Sequence, residues 1–438
     1  MLRPIAFALA CLLLCDQTAR GDDWPQWLGL KRDSLWRESG TITKFPSGGA
    51  KILWRSSVSG GYAGPAVAAG RVFVTDYVRE EGEAANDPNA RTKLRGKERV
   101  LCFDAAGGRQ LWKHEYDCPY SISYPSGPRA TPAVEGARVY SLGAEGNLLC
   151  LDASEGRLIW QRDLKRDFQA PTPVWGFCSH PLVDGDTLFL LCGGPESIVI
   201  ALDKHSGKDI WHSLSAADAG YCPPMLIEAG GRRQLIAWDP LTINGLDPAT
   251  GKLFWSVKLE PDYGMSIVAP RQSGSYLFAG GVKGKGVCLR LDADKPEVHE
   301  LWRTSSDRGV GPVDSPVVPV GDVMYAVDRE GELRAIELPT GRRLWQTYAA
   351  TTGGRRANSA SAFMVRNGDH FYIMNDQGEL IIARLSPEKY EELDRGKILE
   401  PTNEAFGRNV VWSHPAFSGR RMFARNDKEL VCVSLAEE

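Results

Sequence analysis

The sequence predicts an all-β protein, an eight-bladed β-propeller, and two observations predict it. The first is an acidic residue, a turn and a Trp, repeated six times: Asp104…Gly108…Trp112, Asp152…Gly156…Trp160, Asp203…Gly207…Trp211, Asp247…Gly251…Trp255, Asp292…Trp302 and Glu337…Gly341…Trp345. From acid to Trp is eight positions in five of them and ten at Asp292, and successive acids stand 48, 51, 44, 45 and 45 residues apart. The second is the content of each period, short β-branched and aromatic runs bounded by Gly, Asp and Asn. A period of that length, made of hairpins, marks the blades of a propeller.

Each unit opens on a short apolar strand ending at a Gly turn, as in Pro65–Gly70 or His180–Gly185. A β-branched and aromatic strand follows, as in Arg71–Thr75 or Thr187–Leu191. The third strand ends at the repeated acid and the fourth carries the Trp. Gly and Asp between such runs make hairpins because those turns need positive φ. The units fall at 62–112, 124–160, 173–211, 221–255, 265–302, 313–345 and 358–400. The eighth is assembled from both ends: 411–417, 421–425 and 429–434 supply three strands, and the orphan Lys51-Ile52-Leu53-Trp54 supplies the fourth. That closure leaves no unpaired edge. The seventh unit is degenerate, with Ser386–Arg395 in place of the Asp-Gly turn and no Trp after it. A ring of seven is the alternative count.

The repeated residues have structural work to do. Asp104, Asp152, Asp203 and Asp247 can accept hydrogen bonds from backbone N–H groups of the turn that follows. Trp54, Trp112, Trp160, Trp211, Trp255, Trp302 and Trp345 can each bury roughly 150–250 Å² against the neighbouring blade. These positions are scaffold, not catalytic acids.

The chain has 438 residues and a formal net charge of −3, which gives no electrostatic reason to expect nucleic acid or anionic lipid. Residues 1–21 read as a secretory signal: Arg3, an apolar run from Ile5 to Cys15, then Ala19-Arg20-Gly21 as a cleavage site. Cys11 and Cys15 raise a lipoprotein alternative, which the bulky Leu14 argues against. The expected organisation is a signal at 1–21, an N-terminal arm at 22–50 and a propeller at 51–438. The predicted product is one chain closing its own ring, with no transmembrane segment, in the periplasm or secreted. Eight cysteines follow the signal. Cys102 and Cys150 take a slot two before the acid where Ala201, Gly245 and Ala335 stand in other units, so a buried thiol serves there as a small residue. Cys178 and Cys222, in neighbouring units, are a candidate disulfide. No C-x-x-C or C-x-x-C-H motif is present.

These residues resemble the tryptophan-docking repeat, A-x-D-x-x-T-G-x-x-x-W, of the pyrroloquinoline quinone (PQQ) propeller superfamily. That superfamily includes quinoprotein alcohol dehydrogenases and the BamB-like propellers of outer-membrane barrel assembly, and the resemblance implies eight blades. It covers residues 51–438. Asp23-Trp24-Pro25-Gln26-Trp27-Leu28-Gly29 is similar to the entry segment of exported PQQ-binding-like repeat proteins. The dehydrogenases, as the resemblance implies, hold the quinone against a ring made by two adjacent cysteines and bind calcium through Glu, Asn and a catalytic Asp. No two cysteines are adjacent here.

Strand order places the connectors at 113–127, 161–178, 212–222, 256–266, 303–315 and 346–358 at one mouth of the central channel, joined by the charged insertion Arg79–Arg99. Loops on a rigid scaffold carry function, and these, with the strand entries just after them, supply Tyr120, Tyr124, Arg129, Trp175, His180, Tyr221, Asp314 and Asn358 as candidate ligand- or partner-binding residues, with His414. His180 and His414 recur at one repeat position, each in Ser-His-Pro entering an innermost strand. Hydrogen bonding of backbones converging on the axis is the more ordinary use for His180, Arg129 and Asp314. A metal at the two histidines would need Asp314 or Cys178 as a third ligand. The insertion, acidic then basic, reads either as a solvated loop or as a flap over the mouth. The functional expectation is an exported, non-catalytic binding or scaffold propeller for a protein or saccharide-like ligand, with no cofactor. The alternative is a PQQ- and calcium-dependent alcohol or sugar oxidoreductase.

Overall fold

The computed structural model describes residues 22–437, so the expected signal and its two cysteines lie outside the described residues. Eight antiparallel sheets, each with a four-strand path, form the blades. Blades 1 to 7 span 66–117, 133–163, 182–213, 225–258, 271–303, 318–347 and 362–397. In the eighth, Ala416–Phe417, Arg421–Arg425 and Glu429–Ser434 are completed by Lys51–Ser57, with Lys51 opposite Ser434 and Ser57 opposite Glu429. The ring therefore has eight blades rather than seven, and the first strand of the propeller covers the edge of the last sheet.

Every blade repeats one irregularity between its third and fourth strands. One apolar residue bulges out of register just before the Trp, namely Leu111, Ile159, Ile210, Phe254, Leu301, Leu344 and Leu53, with Leu393 at the matching place in blade 7. A bulge re-aims the side chain that follows it. Directly across from each Trp stands a residue no larger than a thiol: Cys102, Cys150, Ala201, Gly245, Cys288, Ala335 and Cys432. A Cβ on Gly245 would lie 2.2 Å from the Trp255 ring. Cys288 and Cys432 thus share the slot read from sequence for Cys102 and Cys150. In blade 7 the Trp position holds Asp394 and its partner is Ile382, so bulk crosses the ladder when the indole is missing.

The indoles dock on the next blade. Trp54, Trp112, Trp160, Trp211, Trp302 and Trp345 each donate Nε1–H to a carbonyl there, at 2.7–3.1 Å. Under five of these rings lies the turn glycine, with φ of +69 to +74°, where a Cβ would come within 2.4–2.8 Å of the ring. The repeated acid shapes that turn: Asp104, Asp152, Asp203 and Asp247 accept turn N–H groups at 2.7–2.8 Å. Blade 5 has no such glycine, and Trp255 instead donates to Gln234 within its own blade at 2.7 Å.

The joint between blades 7 and 8 has no indole because blade 8 has no turn to receive one: its third and fourth strands belong to opposite ends of the chain. The arm fills the gap. Phe45 N–H donates to Asp394 at 2.7 Å, and the ring packs over Gly396. Ile42 N–H donates to Leu435 O, and Tyr372 Oη donates to Ile42 O at 2.6 Å. The segment read as a replaced turn is in fact mostly strand, since Tyr390–Lys397 pairs along Glu379–Leu385 and only 386–389 turns. Upstream, residues 24–36 cross the tight-turn face. Trp24 bridges to Val67, Arg32 donates to the carbonyls of His180 and Pro181, and Trp36 N–H donates to Arg366 O. The eight cysteines among the described residues are free, and the candidate Cys178–Cys222 disulfide does not form.

Trp302, 4% exposed, and the bulged Leu301, 36% exposed, offer a direct contrast. Trp302→Ala is expected to cost about 3–5 kcal/mol by urea unfolding, whereas Leu301→Ala changes stability by no more than about 0.5 kcal/mol. Equal costs would contradict the docking role.

Candidate functional site

The innermost strands and the arm enclose a cavity of about 660 Å³ on the loop-rich face. Its floor is Trp27, which is 4% exposed and comes from the arm. That indole stacks on His180 with ring centroids 4.6 Å apart and planes 8° apart, and meets His414 edge-on at 5.8 Å. Thr131 N–H donates to His180 Nδ1 at 2.8 Å, which leaves Nε2 to carry the proton of the neutral ring. Burial holds His180 well below its ordinary pKa and pushes His414 down to about 3, so both are neutral near pH 7.

Aromatic side chains form the walls: Tyr62, Tyr124, Trp175, Tyr221, Phe406 and Trp412. Of the nine residues picked from sequence, Tyr124, Arg129, Trp175, His180, Tyr221, Asp314 and His414 line the cavity. Tyr120 does not. It stacks on Tyr77 at 4.0 Å and donates its hydroxyl to the buried Glu98 at 2.5 Å, within a cluster packed against Ala144 of blade 2. Asn358 stands behind the lining and accepts a hydrogen bond from Arg329 at 3.1 Å.

The polar groups of the lining are largely committed to the scaffold. Arg129 donates to the carbonyls of Ser123, Tyr124 and Gly127, and its guanidinium lies 5.1 Å over the Tyr62 ring. Asp314 accepts from Ser361 Oγ at 2.7 and 2.8 Å; burial, against that hydrogen bond, pushes its pKa up to about 6.

Several lining residues escaped the sequence reading because their elements did. A hairpin, Asn403–Ala405 with Arg408–Val410, interrupts the connector from blade 7 to blade 8 and holds Phe406 between its strands. The insertion is solvent-exposed over most of residues 79–91, yet it is more than a free loop. Strands Arg71–Glu81 and Thr92–Asp104 extend it as a hairpin whose tip brings Pro88 and Asn89 to the cavity. It is tied down where Asn86 donates to Glu404 O at 2.7 Å and Arg91 to Thr172 O at 2.8 Å.

The donor set does not fit a quinone with calcium. Among the described residues no group of three or more His, Cys, Asp and Glu is placed to hold a metal ion. No adjacent cysteines exist to face the quinone, and the Trp27–His180 stack occupies the axis.

A family model described as "Outer membrane protein assembly factor BamB" matches residues 96–238 and again 239–438. A relative of that name from Yersinia pestis is 23% identical over 289 residues, 64% of this chain and 67% of the relative. Among solved structures, BamB from Moraxella catarrhalis superposes with a TM-score of 0.53 at 15% identity, over 87% of this chain and 98% of that one. A quinohemoprotein alcohol dehydrogenase from Comamonas testosteroni superposes at 0.61 with 13% identity, over 96% and 81%. At these identities the two structural likenesses concern the fold alone.

A buried acid held protonated stabilises below its unfolded pKa, and that contribution is lost as pH rises through the folded one. The stability of the protein should therefore fall between about pH 4 and 6 through Asp314, and Asp314→Asn should flatten that slope in urea unfolding. An unchanged slope would contradict the raised pKa.

Proposed function

Because this chain belongs to the BamB family of PQQ-like β-propellers, we propose that it is a non-catalytic binding propeller of the exported compartment. Its loop-rich face receives a protein segment or a small saccharide-like ligand, and the cavity is the receptor. One observation carries this reading: the cavity is aromatic-walled and closed at its floor, while its titratable side chains are neutral or already hydrogen-bonded to the scaffold. Such a lining can bury a ligand's apolar surface and orient it through a few polar groups. It offers no nucleophile poised beside a base. Export rests on the features of residues 1–21, and the named relatives, outer membrane protein assembly factors, point to an envelope protein as the partner class.

Immobilised protein presented to an envelope extract should retain a partner that is lost at least tenfold with Trp175→Ala and Tyr221→Ala together, since truncating buried aromatic anchors costs about 2 kcal/mol or more each. Retention unchanged in the double variant would reject this face. The oxidoreductase alternative predicts dye-linked alcohol oxidation after addition of quinone and calcium. Turnover that disappears in Asp314→Asn would overturn the binding reading.

A further inference from the structure

Beside the cavity, on the same face, lies a second depression of about 1360 Å³, walled by connectors around blades 4, 5 and 6. It is polar where the cavity is aromatic. Seven Lys and Arg residues line it against four Asp and Glu, in a chain whose overall charge is −3. Part of that charge is unspent. Arg334 is paired with Asp328 and Glu332, and Lys283 with Asp262. Lys285 and Arg329, by contrast, face no carboxylate at ion-pair distance among the described residues, and Arg329 gives only its Nε–H to Asn358.

The two depressions share a wall. Tyr263 and Arg329 line both. Tyr263 stands at the rim, 69% exposed, with its backbone in the left-handed region at φ +61°. Lys283, also left-handed at φ +56°, holds its ammonium 4.8 Å over that ring and 3.2 Å from its hydroxyl. Two residues other than glycine in this costly conformation, locked to one another, form a fixed post between an apolar chamber and a cationic groove. Strained backbone of this kind persists where the surroundings over-determine it, and it clusters at binding sites.

We infer that this face binds an extended acidic segment of a protein partner, with one aromatic side chain seated in the cavity and neighbouring carboxylates lying in the groove across Tyr263. The inference rests on the binding reading above and names the partner's chemistry. Charge complementarity supplies the sign: a surplus of Lys and Arg selects a negative segment and speeds its encounter. The adjoining apolar chamber selects a peptide over a plain polyanion, which has nothing to place there.

The test uses the full chain and fluorescence anisotropy with three labelled peptides: an Asp/Glu-rich peptide with one central Trp, the same peptide with Ser for Trp, and the same with Asn and Gln for the acids. The acidic Trp peptide should bind at least about tenfold tighter than either control, with an advantage that shrinks as salt is raised. Lys285→Glu, which touches the groove and not the cavity, should, with folding checked by circular dichroism, remove most of the advantage of the acids and leave the neutral Trp peptide unchanged. If the neutral Trp peptide binds as well as the acidic one, the groove plays no part and the inference falls while the cavity reading stands. If the acidic Ser peptide or heparin binds as well as the acidic Trp peptide, the site is a general polyanion groove and the inference also falls. Binding by none of the three overturns it, and indifference of every peptide to Trp175→Ala removes the cavity reading with it.

Discussion

The ring depends on one contact made over and over: an indole from the outer strand of one blade lying on the turn of the next, its N–H on a backbone carbonyl. That contact dictates the residues around it. The strand must bulge before the Trp, so an apolar residue sits out of register in every blade. The residue opposite must be small, so it is Gly, Ala or Cys wherever a Trp stands and Ile382 where none does. The receiving turn must bring bare backbone to the ring, which is why Gly108, Gly156, Gly207, Gly251 and Gly341 could not carry a Cβ. The cysteines follow from the same requirement. Four of the eight stand opposite an indole, and burial raises their thiol pKa, as for Cys102, held at about 11. They are packing residues, and no disulfide forms among the described residues.

At the joint between blades 4 and 5 the indole keeps its N–H within its own blade, and at the joint between blades 7 and 8 there is no indole at all; that second gap organises the rest. Blade 8 is closed by the two ends of the chain, so no turn awaits an indole from blade 7. The segment that would otherwise trail from the first strand repairs the defect. Residues 51–57 complete the last sheet, Ile42 and Phe45 fill the joint, and residues 24–36 run across the tight-turn face to place Trp27 beneath the central channel. Closure of the ring and flooring of the cavity are therefore tasks of a single stretch of chain. An open channel becomes a chamber with one mouth.

The architecture was legible because its signal repeats: eight units err independently, and the period survives the loss of any one of them. The closing strand could be read from Leu53-Trp54 because that pair lacked the three strands that should precede it. The same reliance on spacing hid Cys288 and Cys432, the first because Asp292 stands ten rather than eight residues from its Trp, the second because its Trp54 lies at the far end of the chain. The site was legible only in part. Its connectors could be assigned to one face, but Tyr120 and Trp175 look alike as loop aromatics until Glu98, buried beside blade 2, claims the tyrosine. Trp27 was seen as part of an entry segment rather than as the floor, because nothing local says that the arm reaches the axis. The cationic groove was invisible, since its charges are scattered between Lys258 and Arg343 and meet only in the ring.

The central claim is that the amino-terminal strand closes the propeller against the carboxy-terminal sheet. Residues directly opposed in an antiparallel pair bring their Cα atoms to about 4.5–5.5 Å, within disulfide range. Ser57 and Glu429 are such a pair. The double substitution Ser57→Cys with Glu429→Cys should give, on mild oxidation of the folded protein, a cross-link joining the two terminal peptides and a higher unfolding midpoint. A folded protein in which those two thiols remain apart would contradict the closed ring and, with it, the floor of the cavity.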